Sequence, residues 1–213
     1  MKIEKLMSII LYIAIGICIL SAGKILYKRI SAAKEYERLD EMIQIDHRER
    51  EMDVGTAKPL TENRLKMINP DFVGILDVPA LGIRYPVVQG NDNEEYLHTT
   101  FEGKCNPAGC IFLDYENEPD MSDDNTFIYG HNMKDGSMFG SLKKLKTKDW
   151  TDKDVRAYFY TDSGSIAYEF TRAEVMNVDN IKELTNGEKN LILYTCWGQD
   201  HDKRLLAFFR ACS

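Results

Sequence analysis

The sequence predicts a mainly β fold, an eight-stranded closed or nearly closed barrel preceded by N-terminal helices. From Asp71 onward, short β-rich apolar runs alternate with turns. An uncharged apolar run and a charged segment of helical periodicity precede them. Eight short strands with few helices favour a barrel, because closure removes exposed strand edges. The predicted strands are 72–78, 83–88, 110–113, 126–129, 155–160, 166–175, 191–195 and 205–211.

The uncharged run at residues 6–23 has the character of a membrane anchor. As a helix it reaches about 27 Å against a bilayer core of roughly 30 Å, and flanking lysine and arginine side chains can cover the difference. A cleaved signal peptide is the alternative, although no A-x-A site closes the run. Positive charges on both sides leave the topology undecided. A short leader before a large domain favours a cytoplasmic leader at 1–5, a single-pass signal anchor and an extracellular domain.

Residues 24–59 are expected to form a helical stalk or linker behind the anchor. Tyr36, Leu39 and Ile43 are spaced to share one face of a helix. Glycine and proline then interrupt the pattern, and a second short helix is predicted over 61–68.

The barrel domain is predicted to extend over 60–213. A hairpin turn is expected at 161–165, and one helix is expected over 138–145, after an Asp-Gly turn. Cys105 and Cys110 bracket another tight turn, and they either pair or remain free thiols.

The composition excludes several classes of function. The net charge of −7 argues against nucleic-acid binding, because such proteins need a basic face. No Cys/His cluster has the spacing of a zinc site, and we expect no metal and no cofactor. The acidic stretch 114–124 lacks the spacing of a calcium-binding EF-hand, so a solvated loop is the favoured interpretation.

Cys196, at the end of the seventh predicted strand, is the candidate nucleophile. A thiol with a pKa of ~8.5 is mostly protonated at neutral pH, so it needs a base or a positive field. His131, just after the fourth strand, can take that proton and later protonate a leaving amine. Arg204, just before the eighth strand, stays charged and can stabilise an oxyanion. Together they provide what acyl transfer requires.

Each of these residues also has an ordinary structural interpretation. A cysteine after a β run is often a small core residue, and the other two could be a turn residue and a surface charge. His201, in the polar loop after Cys196, is a rival base, although a side chain fixed at a strand end is better positioned. Spacing alone leaves that choice open. The order of His131 before Cys196 excludes papain-like enzymes, and the residues around Cys196 do not match caspases.

Six short motifs follow one another along residues 60–213: Asn-Pro-Asp-Phe-Val-Gly (69–74), Tyr-Pro-Val-Val-Gln (85–89), Asn-Glu-Glu-Tyr-Leu (93–97), Gly-Cys-Ile-Phe-Leu-Asp (109–114), Tyr-Gly-His-Asn-Met (129–133) and Thr-Cys (195–196). In this order, and with an N-terminal anchor, the chain resembles the sortases, the membrane-anchored transpeptidases of Gram-positive bacteria. Among them it is most similar to class B.

The resemblance implies a sortase-type barrel over 60–213 as the catalytic domain, with class B N-terminal helices. Cys196 would attack the threonine carbonyl of an Asn-Pro-x-Thr-like sorting signal and form a thioacyl enzyme. His131 would act as general acid and base, and Arg204 would hold the oxyanion or orient the substrate. An amine of a peptidoglycan precursor or cross-bridge would then attack the thioacyl enzyme and become covalently joined to the surface protein. Four further positions match the family's substrate groove: Asn93, Leu97, Tyr129 and Thr195.

Two alternatives share this fold: a cysteine hydrolase or peptidase, in which water resolves the thioacyl enzyme, and a sortase with a different sorting signal. A third is a membrane-tethered barrel that only binds. Departures from the family pattern bear on the signal: Tyr194 and Trp197 place bulky rings beside Cys196, and an insertion is shortened. Class B sortases carry a helix-containing insertion between the sixth and seventh strands, and here only residues 175–189 separate those runs.

Overall fold

The computed structural model describes residues 2–52, 60–147, 150, 154–161, 164–183, 189–198 and 202–212. All eight predicted strands are present, each within two residues of its predicted bounds: β1 Phe72–Val78, β2 Ile83–Val88, β3 Ile111–Leu113, β4 Asn125–Tyr129, β5 Arg156–Thr161, β6 Gly164–Asn177, β7 Asn190–Cys196 and β8 Lys203–Ala211. They close into a barrel in the order β1-β2-β3-β4-β7-β8-β6-β5. The predicted fold class is confirmed.

Two of the strand pairs are parallel, β2 with β3 and β4 with β7, and the other six are antiparallel. The predicted hairpin joins β5 and β6, with Thr161 opposite Gly164. Closure between β1 and β5 needs a residue without a side chain at Gly74. A Cβ atom there would lie 2.6 Å from the ring of Phe159 and 2.7 Å from the carbonyl oxygen of Tyr160. Glycine therefore lets the two strands approach.

The barrel interior is filled by large apolar side chains. Phenylalanines supply much of the volume and are at most 2% exposed: Phe101, Phe112, Phe139, Phe159 and Phe209. Alternation along the strands directs Phe112, Phe159 and Phe209 inward, which explains why the sequence pattern identified the strands well. Such a core gives the strand ends at the barrel rim a fixed position.

The N-terminal helix α1 (Lys2–Met52) is continuous. Its apolar side chains are exposed along the first half, including Leu6 (58%), Ile13 (58%) and Leu20 (69%). This stretch is long and apolar enough to cross a membrane by length and composition. The boundaries of the leader, anchor and stalk stay predictions.

The second half of α1 lies against the barrel. Tyr36, Leu39 and Ile43 share one face, as predicted, and all three are buried. The Tyr36 hydroxyl donates to the carbonyl oxygen of Gly109 at 2.6 Å, and the side-chain amide of Asn106 donates to the carbonyl oxygen of Lys28 at 2.7 Å. The helix therefore docks through both apolar packing and hydrogen bonds.

Of the two shorter helices, one was predicted correctly and the other only in part. Helix α2 (Leu60–Ile68) confirms the prediction for 61–68. The prediction of a helix over 138–145 was wrong in its first half, because α3 is Lys143–Thr147. Met138 has a left-handed backbone (φ 50°), and its amide donates to the Tyr85 hydroxyl at 2.9 Å. That contact and conformation are incompatible with a helix starting there.

The structure leaves Cys105 and Cys110 as free thiols. Cys105 is exposed and Cys110 is buried beside Tyr36. Burial raises the pKa of Cys110 to about 12. Cys110 is therefore a protonated core residue.

The docking of α1 yields a stability prediction. Leu39→Ala removes a side chain that is 0% exposed and leaves a cavity between the helix and the barrel. We expect a loss of about 2–4 kcal/mol in the free energy of unfolding, measured by chemical denaturation in detergent. Lys34→Ala, on the exposed side of the same helix, should change it by less than about 0.5 kcal/mol. Equal losses would show that this face does not dock.

Candidate active site

Strand register brings the three predicted catalytic residues to one rim of the barrel. β4 and β7 run parallel with Tyr129 opposite Tyr194, so their extensions place His131 beside Cys196. β7 and β8 run antiparallel, and there Cys196 lies directly opposite Arg204. Three adjacent strands thus deliver the thiol, the imidazole and the guanidinium to one place.

Hydrogen bonds continue the pairing of β4 and β7 past the end of β4. The Gly130 amide donates to the carbonyl oxygen of Tyr194 at 3.3 Å, and the Thr195 hydroxyl donates to the carbonyl oxygen of Gly130 at 2.6 Å. Beyond them, the side-chain amide of Asn132 donates to the carbonyl oxygen of Cys196 at 2.9 Å. The segment around the imidazole is therefore fixed to the strand that holds the nucleophile.

Glycine is required immediately before His131. A Cβ atom at Gly130 would lie 2.4 Å from Cδ1 of Ile111 and 2.7 Å from Cγ of Phe139. Both neighbours belong to the packed core, so a larger residue would push the His131 segment outward.

The imidazole of His131 is held by two hydrogen bonds. Its Nε2 lies 2.7 Å from the carbonyl oxygen of Leu97, and its Nδ1 lies 3.3 Å from the Tyr129 hydroxyl. A carbonyl only accepts, so in the neutral ring Nε2 bears the proton and Nδ1 bears the lone pair. The same Tyr129 hydroxyl lies 3.5 Å from Sγ of Cys196.

Burial determines the charge states of His131 and Tyr129. Desolvation lowers the pKa of His131 below its usual value of 6.5; a hydrogen bond to Leu97 opposes this, and the charge of His98 adds to it. The two imidazole rings are stacked, with centroids 5.9 Å apart. Burial also raises the pKa of Tyr129, with a further contribution from Cys196. At neutral pH both side chains are therefore uncharged, as a base and a hydroxyl donor need to be.

Arg204 supplies positive charge next to these groups. Its Nη1 donates to the carbonyl oxygen of Lys203 at 3.1 Å, and the side chain is partly exposed. Its charge opposes the burial-driven rise in the pKa values of Tyr129 and Tyr194. The guanidinium field therefore reaches the site where an oxyanion would form.

The predicted groove residues occupy different positions. Tyr129 and the backbone of Leu97 contact His131 directly. Thr195 is 1% exposed, with its hydroxyl turned to Gly130. The side chain of Asn93 donates to Asp114 at 2.9 Å and accepts from the Tyr115 amide at 3.1 Å, so it orders the loop after β3.

Two further observations concern the other predictions. His201, the rival base, lies outside the described residues. Within the described residues, no group of three or more His, Cys, Asp or Glu side chains could hold a metal ion.

Sequence reasoning missed the roles of Gly130, Asn132 and His98. The first two flank His131 in the Tyr-Gly-His-Asn motif, so proximity to the candidate base was a usable signal. His98 gave no such signal, because its stack on His131 depends on how two distant loops fold together.

The stack with His98 yields a prediction for the pKa of His131. His98→Ala removes a nearby positive charge and uncovers one face of the ring, and both changes favour the imidazolium. We expect the pKa of His131 to rise towards 6.5, measured by NMR titration of its ring protons. Asn91→Ala, an exposed change in the same loop, should leave that pKa in place. An unchanged or lowered value in His98→Ala would contradict the prediction.

Comparisons with known proteins bear on the barrel domain and its family. The family model for the sortase domain matches residues 76–210. Sortase B of Listeria monocytogenes is 44% identical over 105 residues, covering 49% of this chain and 42% of that protein. Sortase B of Staphylococcus aureus is 30% identical over 159 residues, covering 72% and 62%. The matches thus span less than two thirds of either relative.

A solved structure gives the same result for the fold. The Staphylococcus aureus sortase B–substrate complex superposes with a TM-score of 0.74 at 22% identity, covering 88% of this chain and 99% of that chain. The eight-stranded barrel therefore has the same fold as that sortase B structure. From the family-model match, this chain belongs to the sortase family.

Proposed function

We propose that the protein is a membrane-anchored cysteine transpeptidase that attaches surface proteins to the cell wall. It cleaves a C-terminal sorting signal, holds the surface protein as a thioacyl enzyme and transfers it to an amine of peptidoglycan. The meeting of Cys196, His131 and Arg204 at one barrel rim is the observation that supports this most directly. α1 serves as a single-pass anchor, with the barrel on the extracellular side.

In the first half-reaction, the Cys196 thiolate attacks the carbonyl carbon of the signal's threonine. The carbonyl electrons move to oxygen, and Arg204 stabilises the resulting oxyanion. When the tetrahedral species collapses, the C–N bond breaks and His131 protonates the leaving amine. The acyl group remains on sulfur as a thioester.

In the second half-reaction, a peptidoglycan amine attacks the thioester. His131, now neutral, takes a proton from the attacking amine, and the sulfur departs as thiolate. A peptide bond replaces the one that was cleaved. The lowered pKa of His131 suits this step, because the ring returns readily to its neutral form.

We propose an Asn-Pro-x-Thr-like signal, since the named relatives are class B sortases. Asn93, Leu97, Tyr129 and Thr195 are proposed to line its groove. Because Thr195 is buried, its contribution would come through its backbone and through the position of its neighbour Cys196.

A sortase with a different signal is the second candidate, and the β6–β7 connection favours it. That connection is a short segment from Val178 to Lys189, beginning with a 3₁₀ turn at Val178–Glu183. Signal residues that contact a longer insertion in other class B sortases would have fewer partners here.

A product assay tests the proposed function. Purified protein is incubated with a fluorescent Asn-Pro-x-Thr peptide, with and without an oligoglycine or cross-bridge amine, and followed by mass spectrometry. We expect an adduct on Cys196 and, with amine present, a new peptide bond after the threonine. If the peptide is hydrolysed to the same extent with and without the amine, the protein is a hydrolase instead. Reaction only with a peptide library of other signals would indicate the second candidate.

Substitution of Cys196 and Arg204 separates their roles. Cys196→Ala should abolish the adduct, because it removes the sulfur that carries the acyl group. Arg204→Ala should lower kcat by about 100-fold with the fold intact, the usual effect of losing an oxyanion donor. Arg210→Ala, an exposed arginine on the same strand, is the matched control and should retain activity. Similar losses in both arginine variants would remove Arg204 from the mechanism.

The identity of the base is tested with the two histidines. His131→Ala should lower kcat at least 100-fold, whereas His201→Ala should have a small effect, both measured with the best peptide at neutral pH. If the two variants were equally impaired, the assignment of His131 as the sole base would be wrong.

A further inference from the structure

The Tyr129 hydroxyl occupies the space between the nucleophile and the base. Its oxygen lies 3.3 Å from Nδ1 of His131 and 3.5 Å from Sγ of Cys196. The side chain is 5% exposed, and its ring packs edge-on against both His131 and Tyr194. Such packing fixes the hydroxyl between the two groups.

The direction of these hydrogen bonds follows from the other contact of His131. Because Nε2 donates to the carbonyl oxygen of Leu97, Nδ1 can only accept in the neutral ring. The Tyr129 hydroxyl therefore donates its one proton to Nδ1. Its oxygen lone pair is then available to accept the proton of the Cys196 thiol, so the three groups form a chain with one direction.

We propose that Tyr129 relays the proton of Cys196 to His131, so that the thiol and the imidazole form an ion pair without direct contact. This role deepens the proposed function, on which it rests for its place in catalysis. Tyr129 then takes part in the proton transfer in addition to lining the proposed substrate groove.

The relay transfers two protons in one concerted step. The S–H bond of Cys196 breaks as its proton binds the Tyr129 oxygen, and the tyrosine's own proton moves to Nδ1 of His131. The products are a thiolate, a neutral tyrosine and an imidazolium. The tyrosine hydroxyl then donates to the thiolate, and Nδ1–H donates to the tyrosine oxygen.

The burial of Tyr129 favours its neutral form throughout the relay. Burial raises the pKa of Tyr129, so the hydroxyl keeps a proton before and after the transfer. The excess proton remains on His131, where the departing amine of the sorting signal needs it. A tyrosinate never has to form.

Alkylation of Cys196 by iodoacetamide, followed at that residue by mass spectrometry, tests the relay without any sorting peptide. Tyr129→Phe removes the bridging hydroxyl and retains the ring. We expect its alkylation rate at pH 7 to fall by about tenfold or more, and the pH midpoint of alkylation to rise, because the thiolate loses a hydrogen bond and its path to the base. Tyr194→Phe removes a hydroxyl from the neighbouring ring and should alkylate at the wild-type rate.

A double-mutant cycle of Tyr129 and His131 distinguishes a relay from a role of Tyr129 in packing alone, because it measures whether their effects on alkylation are coupled. In the wild-type background, His131→Ala should lower alkylation at neutral pH. In the Tyr129→Phe background, it should add less than about a twofold loss, since the two groups act as one unit. Losses that multiply would overturn the relay. Unchanged alkylation in Tyr129→Phe with a raised KM for peptide would also overturn it and leave only a binding role.

The tautomer of the wild-type protein gives a measurement that needs no variant. Nitrogen-15 NMR should show that the neutral form of His131 is protonated on Nε2, and a neutral ring protonated on Nδ1 instead would overturn the relay. These outcomes are separable from the proposed function. If no peptide forms an adduct while alkylation behaves as expected, the transpeptidase proposal fails and the relay remains.

Discussion

The parallel pairing of β4 with β7 is the constraint on which the active site depends. It joins segments far apart in the chain, from Asn125 opposite Asn190 to Tyr129 opposite Tyr194. Parallel strands reach their C-terminal ends together, so the residues that follow them emerge side by side. The Thr195–Gly130 hydrogen bond then extends the alignment to the reactive groups. Without this register, the thiol and the imidazole would project from different levels of the barrel.

The same pairing gives the candidate active site both enclosed and partly exposed groups. The strand ends stand on a packed core, so Tyr129 is almost fully enclosed while Cys196 remains half-buried at the rim. Burial lowers the pKa of His131 and raises that of Tyr129, and both shifts keep neutral forms available at neutral pH. Arg204 contributes the one permanent charge of the three proposed catalytic residues, at the side where an oxyanion would develop.

The sequence was sufficient to predict the strands, since alternation and turn residues are local signals. Residue chemistry also singled out Cys196, His131 and Arg204, which the strand register brings to one rim. The sequence was insufficient for contacts made across the fold. Nothing in the local pattern around Met138 indicates its left-handed backbone, which the Tyr85 hydroxyl helps to hold. The stack of His98 on His131 likewise requires the barrel to be closed first. Tyr129 was predicted as a groove residue by resemblance, and only the distances place its hydroxyl between base and nucleophile.

The continuity of α1 links the proposed anchor to the barrel domain. Contact with the barrel begins at the Lys28 carbonyl and continues through Tyr36, whose hydroxyl bonds Gly109 in the segment leading into β3. From the end of the uncharged run at residue 23 to Lys28, a helix rises only about 7.5 Å. If the run spans the bilayer as proposed, no flexible linker separates the two, and the barrel is held against the membrane surface.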